Sequence, residues 1–203
     1  GAIGLAIHPA MTFTGLSMDL QRLNGTSFAV TGPAPFLPIA QALVVEMGGE
    51  PVHVAEADRA LYHAALAHAS NHLVTILTQS QQMLASIGIE DPAHYMGPLV
   101  RAAVDNALAS GEGALTGPVA RGDAGTVAAH MRALGEYAQG EKTGDITDSY
   151  AALAHATAKR AHNRGLLNDE QLERIESLVE PSANVEYTGD TDDSAPENKE
   201  FSS

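Results

Sequence analysis

The chain has 203 residues, of which 44% are apolar, so it is long enough for one or two domains with a buried core. It contains no cysteine, which excludes disulfides and thiol catalysis. A formal net charge of −14 disfavours nucleic acid and anionic membrane surfaces as partners, because like charges repel.

The first 55 residues predict a piece of an α/β layer. Apolar runs at residues 4–8, 27–31 and 51–54 are typical of short strands, and helical spacing over residues 35–47 predicts one helix. Residues 9–26 are rich in threonine, glycine and serine, which predicts a loop. Three strands and one helix leave a sheet face uncovered, and the chain starts directly in an apolar run. We therefore expect a fragment, or a domain entered midway.

From residue 56 to residue 180 the pattern predicts helices only. Asp91, Asp123 and Asn168 stand at N-cap positions, and Gln171 completes a capping box with Asn168. The predicted helices cover residues 57–87, 92–110, 124–134 or slightly beyond, 145–163 and 168–179, with loops at 111–123 and 139–144. Residues 181–203 carry six acidic residues against one lysine, which predicts a disordered tail. The predicted fold is mostly α, divided into residues 1–55, 56–180 and 181–203.

The sequence gives no sign of a membrane segment. It has no run of eighteen or more apolar residues, and its apolar opening lacks the basic region and cleavage site of a signal peptide. We expect a cytoplasmic protein. The helix at residues 57–87 is rich in alanine and leucine and needs partners on several sides, and the second subunit of a homodimer is one way to supply them.

Five segments of the sequence carry a family resemblance. They are GLAIHPAMTFTG, FAVTGP, MGGEPVHV, RALYHAALAHASNHLV and GALTGPVARGDAGTVAAHMRAL. In this order they resemble Rossmann-like proteins with a C-terminal helical domain of unknown function, in the 6-phosphogluconate dehydrogenase-like superfamily of pyrroline-5-carboxylate and ketopantoate reductases. The resemblance covers roughly residues 1 to 165. It implies a nucleotide domain for NAD or NADP, here reduced to a remnant at residues 1–55, followed by a helical domain that dimerises and closes a substrate cleft.

The sequence departs from that pattern at two places. No G-x-G-x-x-G follows a strand, so the fingerprint that seats the cofactor pyrophosphate is expected upstream of Gly1. Related hydroxyacid dehydrogenases carry a lysine four residues before a functional asparagine, and here that position is Ala67. A lysine-based acid/base step is therefore not expected.

The end of the first predicted strand is one candidate site. Ligands of open α/β sheets gather beyond the carboxyl ends of the strands, and His8 and Pro9 stand at such an end. Together with the resemblance, this predicts His8 as a catalytic residue near the nicotinamide or the substrate, and Pro9 as a cofactor contact. The alternative is a histidine that only bonds to nearby backbone.

The long helix carries the second candidate site, formed by His63, Ser70 and Asn71. An imidazole and an amide facing the cleft could hold a substrate carbonyl or carboxylate and supply a proton, so Asn71 and His63 are predicted to be catalytic and Ser70 to bind substrate. His63 and Asn71 are about 80° apart around the helix, on adjoining faces. The alternative is polar bonding between packed helices.

Two further features of the sequence are candidate sites. His68 and His72 are spaced four apart and could face one metal ion, but no acidic third ligand stands at matching spacing, and we expect no metal site. In the glycine-rich loop TGPVARGD, Thr116 and Arg121 are predicted to bind the carboxylate of a substrate or a cofactor phosphate. The alternative is that Arg121 pairs with the helix cap at Asp123.

Two functional hypotheses follow. The first is the substrate-binding and dimerisation part of an NAD(P)-dependent oxidoreductase that reduces a C=O or C=N bond next to a carboxylate. The partner in that case is a small carboxylate-bearing substrate. The second is a non-catalytic, dimeric helical module for binding or scaffolding, without a functional nucleotide site.

Overall fold

The computed structural model describes residues 2–13, 15–141 and 144–180. They form a small three-stranded sheet followed by a larger helical part, so the predicted mostly α fold is confirmed. The strands are β1 (Ala6–Pro9), β2 (Ser27–Thr31) and β3 (Glu50–His53). The helices are α1 (Met18–Leu23), α2 (Leu37–Glu46), α3 (Arg59–Ser86), α4 (Pro92–Ser110), α5 (Ala124–Glu141), α6 (Gly144–Asn163) and α7 (Asp169–Val179).

Two element predictions were wrong. Helix α1 lies inside the predicted loop at residues 9–26, because its six residues are too few to show a helical period. The predicted loop at residues 139–144 is helical as far as Glu141, so α5 is a full two turns longer than its clear apolar spacing indicated. The three predicted N-caps are confirmed, since Asp91 and Asp123 accept backbone N–H groups and Asn168 forms a capping box with Gln171.

The sheet has the order β1-β2-β3, and its two pairings differ in direction. β1 runs antiparallel to β2, whereas β2 and β3 are parallel and are connected through α2. Alternate side chains of β2 point to opposite faces of the sheet. Phe28 and Val30 pack against Ala40 and Val44 of α2, which forms the core of this part of the chain.

A glycine pair ends α2 and lets the chain enter β3. Gly48 adopts φ +80°, a left-handed conformation that favours glycine at a helix C-terminus. Gly49 is buried, and a Cβ there would lie 2.5 Å from Phe28 Cδ2 and 3.1 Å from the Thr26 carbonyl oxygen. The second glycine is therefore required by close packing.

Helices α3 and α4 are long and little buried. In α3 only Gln79 is buried among 28 residues, and α4 has no buried residue. The interior of α4 contains Pro98, which lacks an N–H and so leaves the carbonyl of His94 without its intrahelical bond. No helix among the residues with described structure is both long and apolar enough to span a membrane.

The chain divides into two compact units, Gly1–Gly97 and Pro98–Ser203. In the second unit, α5, α6 and α7 enclose a core made largely of small residues on α6 and of Val127, Ile175 and Val179 on its neighbours. The three-part division predicted at residues 55 and 180 rests on sequence pattern and stays a prediction. The tail at residues 181–203 lies outside the described residues.

Candidate functional site

One face of the sheet carries a cluster of polar and aromatic side chains against α3. The register pairs His8 with Ala29 and Ala6 with Thr31, and these four residues share the face opposite to the Phe28 core. The first two turns of α3 cover this face and supply Tyr62. The register of β1 therefore places His8 beside Ala29, the central residue of β2.

His8 lies between two aromatic rings of α3. Its Nδ1 is 3.1 Å from the Tyr62 hydroxyl, and the two rings meet edge to face with centroids 5.6 Å apart. The His63 ring lies on another side of it, 6.1 Å away and nearly perpendicular. Burial raises the pKa of Tyr62, so its hydroxyl keeps its proton at neutral pH and can donate to a neutral His8 Nδ1.

Two cavities open beside this cluster. The first, of about 300 Å³, lies over the sheet face and is lined by Thr31, Val54, Arg59 and Tyr62, among others. The second, of about 330 Å³, lies between the loop after β1 and the next turns of α3. His8 and His63 line both cavities, so these two imidazoles reach whatever occupies either one.

The second cavity gathers four of the residues predicted from the sequence. Asn71 and Ser70 line it together with His63 and His8. His63 and Asn71 thus share a cavity despite lying on adjoining faces of the helix, because the cavity spans a wide stripe of α3. Ala67 lies between them in the same lining, at the position where the lysine of hydroxyacid dehydrogenases is missing.

Within this group the free polar atoms belong mainly to Asn71 and His63, which are both exposed. The Ser70 hydroxyl lies 2.8 Å from the Leu66 carbonyl oxygen and donates its proton there, as serines within helices commonly do. Its oxygen is 3.3 Å from Asn71 Oδ1. Ser70 can therefore still accept a hydrogen bond from a ligand, but it has no second proton to donate.

The argument that placed His8 and Pro9 at a ligand-binding strand end was wrong. That argument assumed a parallel strand, whereas β1 is antiparallel and Pro9 pairs with Phe28 near the amino end of β2. The carboxyl ends of the parallel strands β2 and β3 lie at the opposite end of the sheet, near Thr31 and Val54. The roles assigned to His8 and Pro9 stay predictions, and His8 keeps its place by the cavities.

Thr116 and Arg121 belong to the second compact unit, in the loop before α5. Asp123 caps α5 by accepting the Thr126 N–H at 3.0 Å and the Thr126 hydroxyl at 2.7 Å. These bonds lower the pKa of Asp123, with smaller effects from the charges of Arg121 and His130. Among the ion pairs of the described side chains, none joins Arg121 to Asp123. The predicted cap at Asp123 is therefore confirmed, whereas the predicted ion pair with Arg121 is not present.

The two other histidines of α3 bond to each other. His68 and His72 are exposed, and their Nδ1 atoms are 2.8 Å apart, so one ring donates to the other. Across residues 2–13, 15–141 and 144–180, no three histidine, aspartate or glutamate side chains are grouped to hold a metal ion. The pair therefore has two potential ligands and no third.

The sequence prediction missed Tyr62 and Arg59. Tyr62 directly precedes His63, but its contact with His8 joins residues 54 positions apart in the sequence and leaves no local signal. Arg59 was hidden by its place at the first position of α3, where an arginine next to Glu56 is typical of an exposed helix start.

Comparisons with known proteins give a family and a related solved structure. No curated protein matches the chain. Among solved structures, the chain is similar to protein TM1727 from Thermotoga maritima, with 27% identity and a TM-score of 0.61. The similarity covers 76% of this chain and 61% of that one, so the chain spans about three fifths of the relative's length. The family model for the domain of unknown function DUF2520 matches residues 26–157, well over half of the sequence, and the chain belongs to this family.

Proposed function

We propose that this chain is the substrate-binding and dimerisation part of an NAD(P)-dependent oxidoreductase that reduces a C=O or C=N bond next to a carboxylate. The observation that carries the proposal is the grouping of His8, His63 and Asn71 around one cavity. The parallel β2–α2–β3 unit also supports the relation to Rossmann-like proteins of the 6-phosphogluconate dehydrogenase-like superfamily. A cytoplasmic location is part of the proposal and rests on the sequence.

In this proposal the three side chains divide the work at the reacting carbon. The Asn71 amide donates a hydrogen bond to the carbonyl oxygen or imine and orients it. His63 delivers the proton, because Ala67 offers no lysine and His63 lies one helical turn before it on the same cavity lining. His8, held by the Tyr62 hydroxyl, keeps a second imidazole within reach of the same group.

The described residues do not fit the pyrophosphate of a dinucleotide. That group needs a run of free backbone N–H groups at a strand-to-helix turn. The turn from β2 to α2 contains Pro33 and Pro35, which have no N–H to donate. Gly32 faces the Leu5 side chain, which a Cβ at position 32 would meet at 2.6 Å. The proposal therefore assigns to these residues substrate binding and proton delivery only.

Dimerisation is proposed from the exposed apolar side chains of α3 and α4. Leu61 and Val74 on α3, and Ile87 directly after it, are between 63% and 75% exposed, and Leu99 and Leu108 on α4 are 74% and 83% exposed. Apolar residues spread along long helices are typical of surfaces that pack against a partner. A second copy of the chain is the partner proposed, and sedimentation velocity at several protein concentrations tests it. A monomer at every concentration would contradict the proposal.

The decisive experiment is calorimetry of the full-length protein with NADPH and with NADH. Binding of either cofactor supports the oxidoreductase, and binding of neither would overturn it. Once a substrate is known, Asn71→Ala is expected to lower kcat about tenfold or more through the lost hydrogen bond. Asn163→Ala, at an exposed asparagine that ends α6, is the matched control and is expected to leave turnover unchanged. Equal turnover by the two variants would show that the site is misplaced.

The second candidate is a non-catalytic dimeric module. The observation that favours it is the poor fit of the β2–α2 turn to a pyrophosphate, together with the exposed apolar helices. The two candidates differ in one outcome of the same measurements. A stable dimer that binds neither NADPH nor NADH supports the module.

A further inference from the structure

A third cavity joins the first one at the carboxyl ends of the parallel strands. Besides the first cavity over the sheet face, another of about 560 Å³ opens beyond Thr31, Gly32 and Pro33, which follow β2. The two cavities share Ala6, Thr31 and Arg59 in their linings. Ligands of α/β sheets bind beyond this edge, so Arg59 stands where a ligand is expected.

Positive charge is scarce in this part of the chain. The first 97 residues contain two arginines, Arg22 and Arg59, and no lysine. Arg22 lies beside Asp19 near the end of α1. Among the described residues that line the two cavities, Arg59 is the only arginine or lysine. In a chain with a net charge of −14, an anionic ligand needs such a local cation to overcome the general repulsion.

The ion pair that Arg59 forms with Glu56 is weak, and a ligand could take the place of Glu56. Arg59 Nη1 is 3.1 Å from Glu56 Oε1, and the two side chains are 50% and 76% exposed. Exposed ion pairs of this kind contribute little to stability. The guanidinium has five N–H donors in a planar fork, so it can release Glu56 and bind a carboxylate or phosphate through two parallel bonds.

The Thr31 hydroxyl is not available to help Arg59 bind the anion. The Thr31 hydroxyl donates to the Val54 carbonyl oxygen at 2.6 Å and ties the ends of the two strands together. It has no second proton, so it cannot donate to an anion as well. His8 and His63 line the first cavity with Arg59, at the side where the rest of the ligand would lie.

We propose that Arg59 is the anchor for the anionic group of a small ligand, a carboxylate or a phosphate, bound at the carboxyl edge of β2 and β3. The identification of that ligand as the substrate rests on the proposed function, and on its two histidines rather than on Asn71, because His8 and His63 line the first cavity with Arg59 and Asn71 does not. Arg121 is the residue that the sequence alone predicts for this role. Anion binding itself does not depend on it.

The test is a calorimetric titration of the full-length protein, without any cofactor, with pyruvate and, separately, with inorganic phosphate. Arg59→Gln is expected to weaken binding of the preferred anion about fivefold to tenfold, through loss of an exposed charge-assisted pair of bonds. Arg22→Gln is the matched control, because Arg22 also follows an acidic residue by three positions. It is expected to leave binding unchanged. The anion that binds more tightly identifies the source as a carboxylate or a phosphate.

Glu56→Gln gives the proposal a second arm. Removing the competing carboxylate is expected to tighten anion binding about twofold to fivefold, whereas a purely structural Arg59–Glu56 pair predicts that both variants lose binding or neither changes. Unchanged affinity in Arg59→Gln, or equal loss in Arg22→Gln, would overturn the proposal. Anion binding that depends on Arg59 in a protein that binds neither NADPH nor NADH supports the anchor and refutes the oxidoreductase. The reverse result supports the oxidoreductase and refutes the anchor.

Discussion

Replacing Gly49 by alanine tests the packing that supports the sheet beneath the site. The new Cβ would lie 2.5 Å from Phe28 Cδ2, and Phe28 is 3% exposed in a core shared with Val30 and Val44. Overpacking of this kind costs about 1–3 kcal/mol. The lower entropy of the unfolded chain returns about 0.4–1 kcal/mol. We expect a net loss of about 1–2 kcal/mol.

Hydrogen exchange of the β2 amide protons is the suitable assay, because it reports on the first unit even when the two units unfold separately. A loss of this size speeds exchange through unfolding about fivefold to thirtyfold. Gly4→Ala is the control, since a Cβ there meets nothing within 4 Å, and we expect it to change stability by less than about 0.5 kcal/mol.

A double variant separates a clash with Phe28 from any other effect of the substitution. Phe28→Leu alone costs on the order of 1 kcal/mol and removes the ring edge that the new methyl group meets. The double variant Phe28→Leu, Gly49→Ala is therefore expected to be about as stable as Phe28→Leu, with a coupling energy of about 1–2 kcal/mol. Additive losses, or a Gly49→Ala variant as stable as Gly4→Ala, would refute the reasoning.

Three further predictions concern single positions. Neutral His8 is expected to carry its proton on Nε2, with the Tyr62 hydroxyl donating to Nδ1. Replacing Tyr62 by phenylalanine is expected to weaken this tautomer preference. Long-range nitrogen NMR measures the tautomer, and a wild-type protein with Nδ1 protonated contradicts the assignment. The hydrogen bonds from Thr126 hold the pKa of Asp123 below its ordinary value of 3.8, so the stabilisation by its charge is complete above the ordinary value and is lost as the pH falls through the lowered one. The stability difference between wild type and Asp123→Asn, measured by denaturation at a series of pH values, should therefore shrink in acid, and a difference that grows in acid contradicts the sign. Gly135→Ala in α5 is expected to raise the free energy of unfolding by about 0.5–1 kcal/mol, since a Cβ there meets nothing within 4 Å and alanine is the better helix former. Thermal denaturation measures the change, and a lower midpoint temperature than that of the wild type would contradict the prediction.

Features set by neighbouring residues were predictable from the sequence. The caps at Asp91, Asp123 and Asn168 each depend on an acceptor and an N–H three residues later, and all three form. His63, Ser70 and Asn71 line one cavity, although helix periodicity alone places His63 and Asn71 on adjoining faces. Helix α1 and the last turns of α5 were not, because short or weakly patterned helices carry too little periodic signal.

Features set by strand direction were not predictable. Nothing in residues 4–8 distinguishes an antiparallel β1 from a parallel one, since a short apolar run fits both. The direction decides that Ala6, and not Pro9, lies at the carboxyl edge of β2. The strand direction also brings His8 within hydrogen-bonding distance of Tyr62. Sequence spacing alone could not predict this contact.

Two versions of the site differ in the cavity that the ligand occupies. Arg59 lines the first cavity with His8 and His63, whereas Asn71 lines only the second. A ligand whose carboxylate binds Arg59 presents its neighbouring carbonyl to the two histidines and lies away from the Asn71 lining. A ligand in the second cavity meets Asn71 and both histidines but not Arg59. Substitutions at Arg59 and Asn71 should therefore not affect the same ligand equally, and the one that weakens binding identifies the cavity in use.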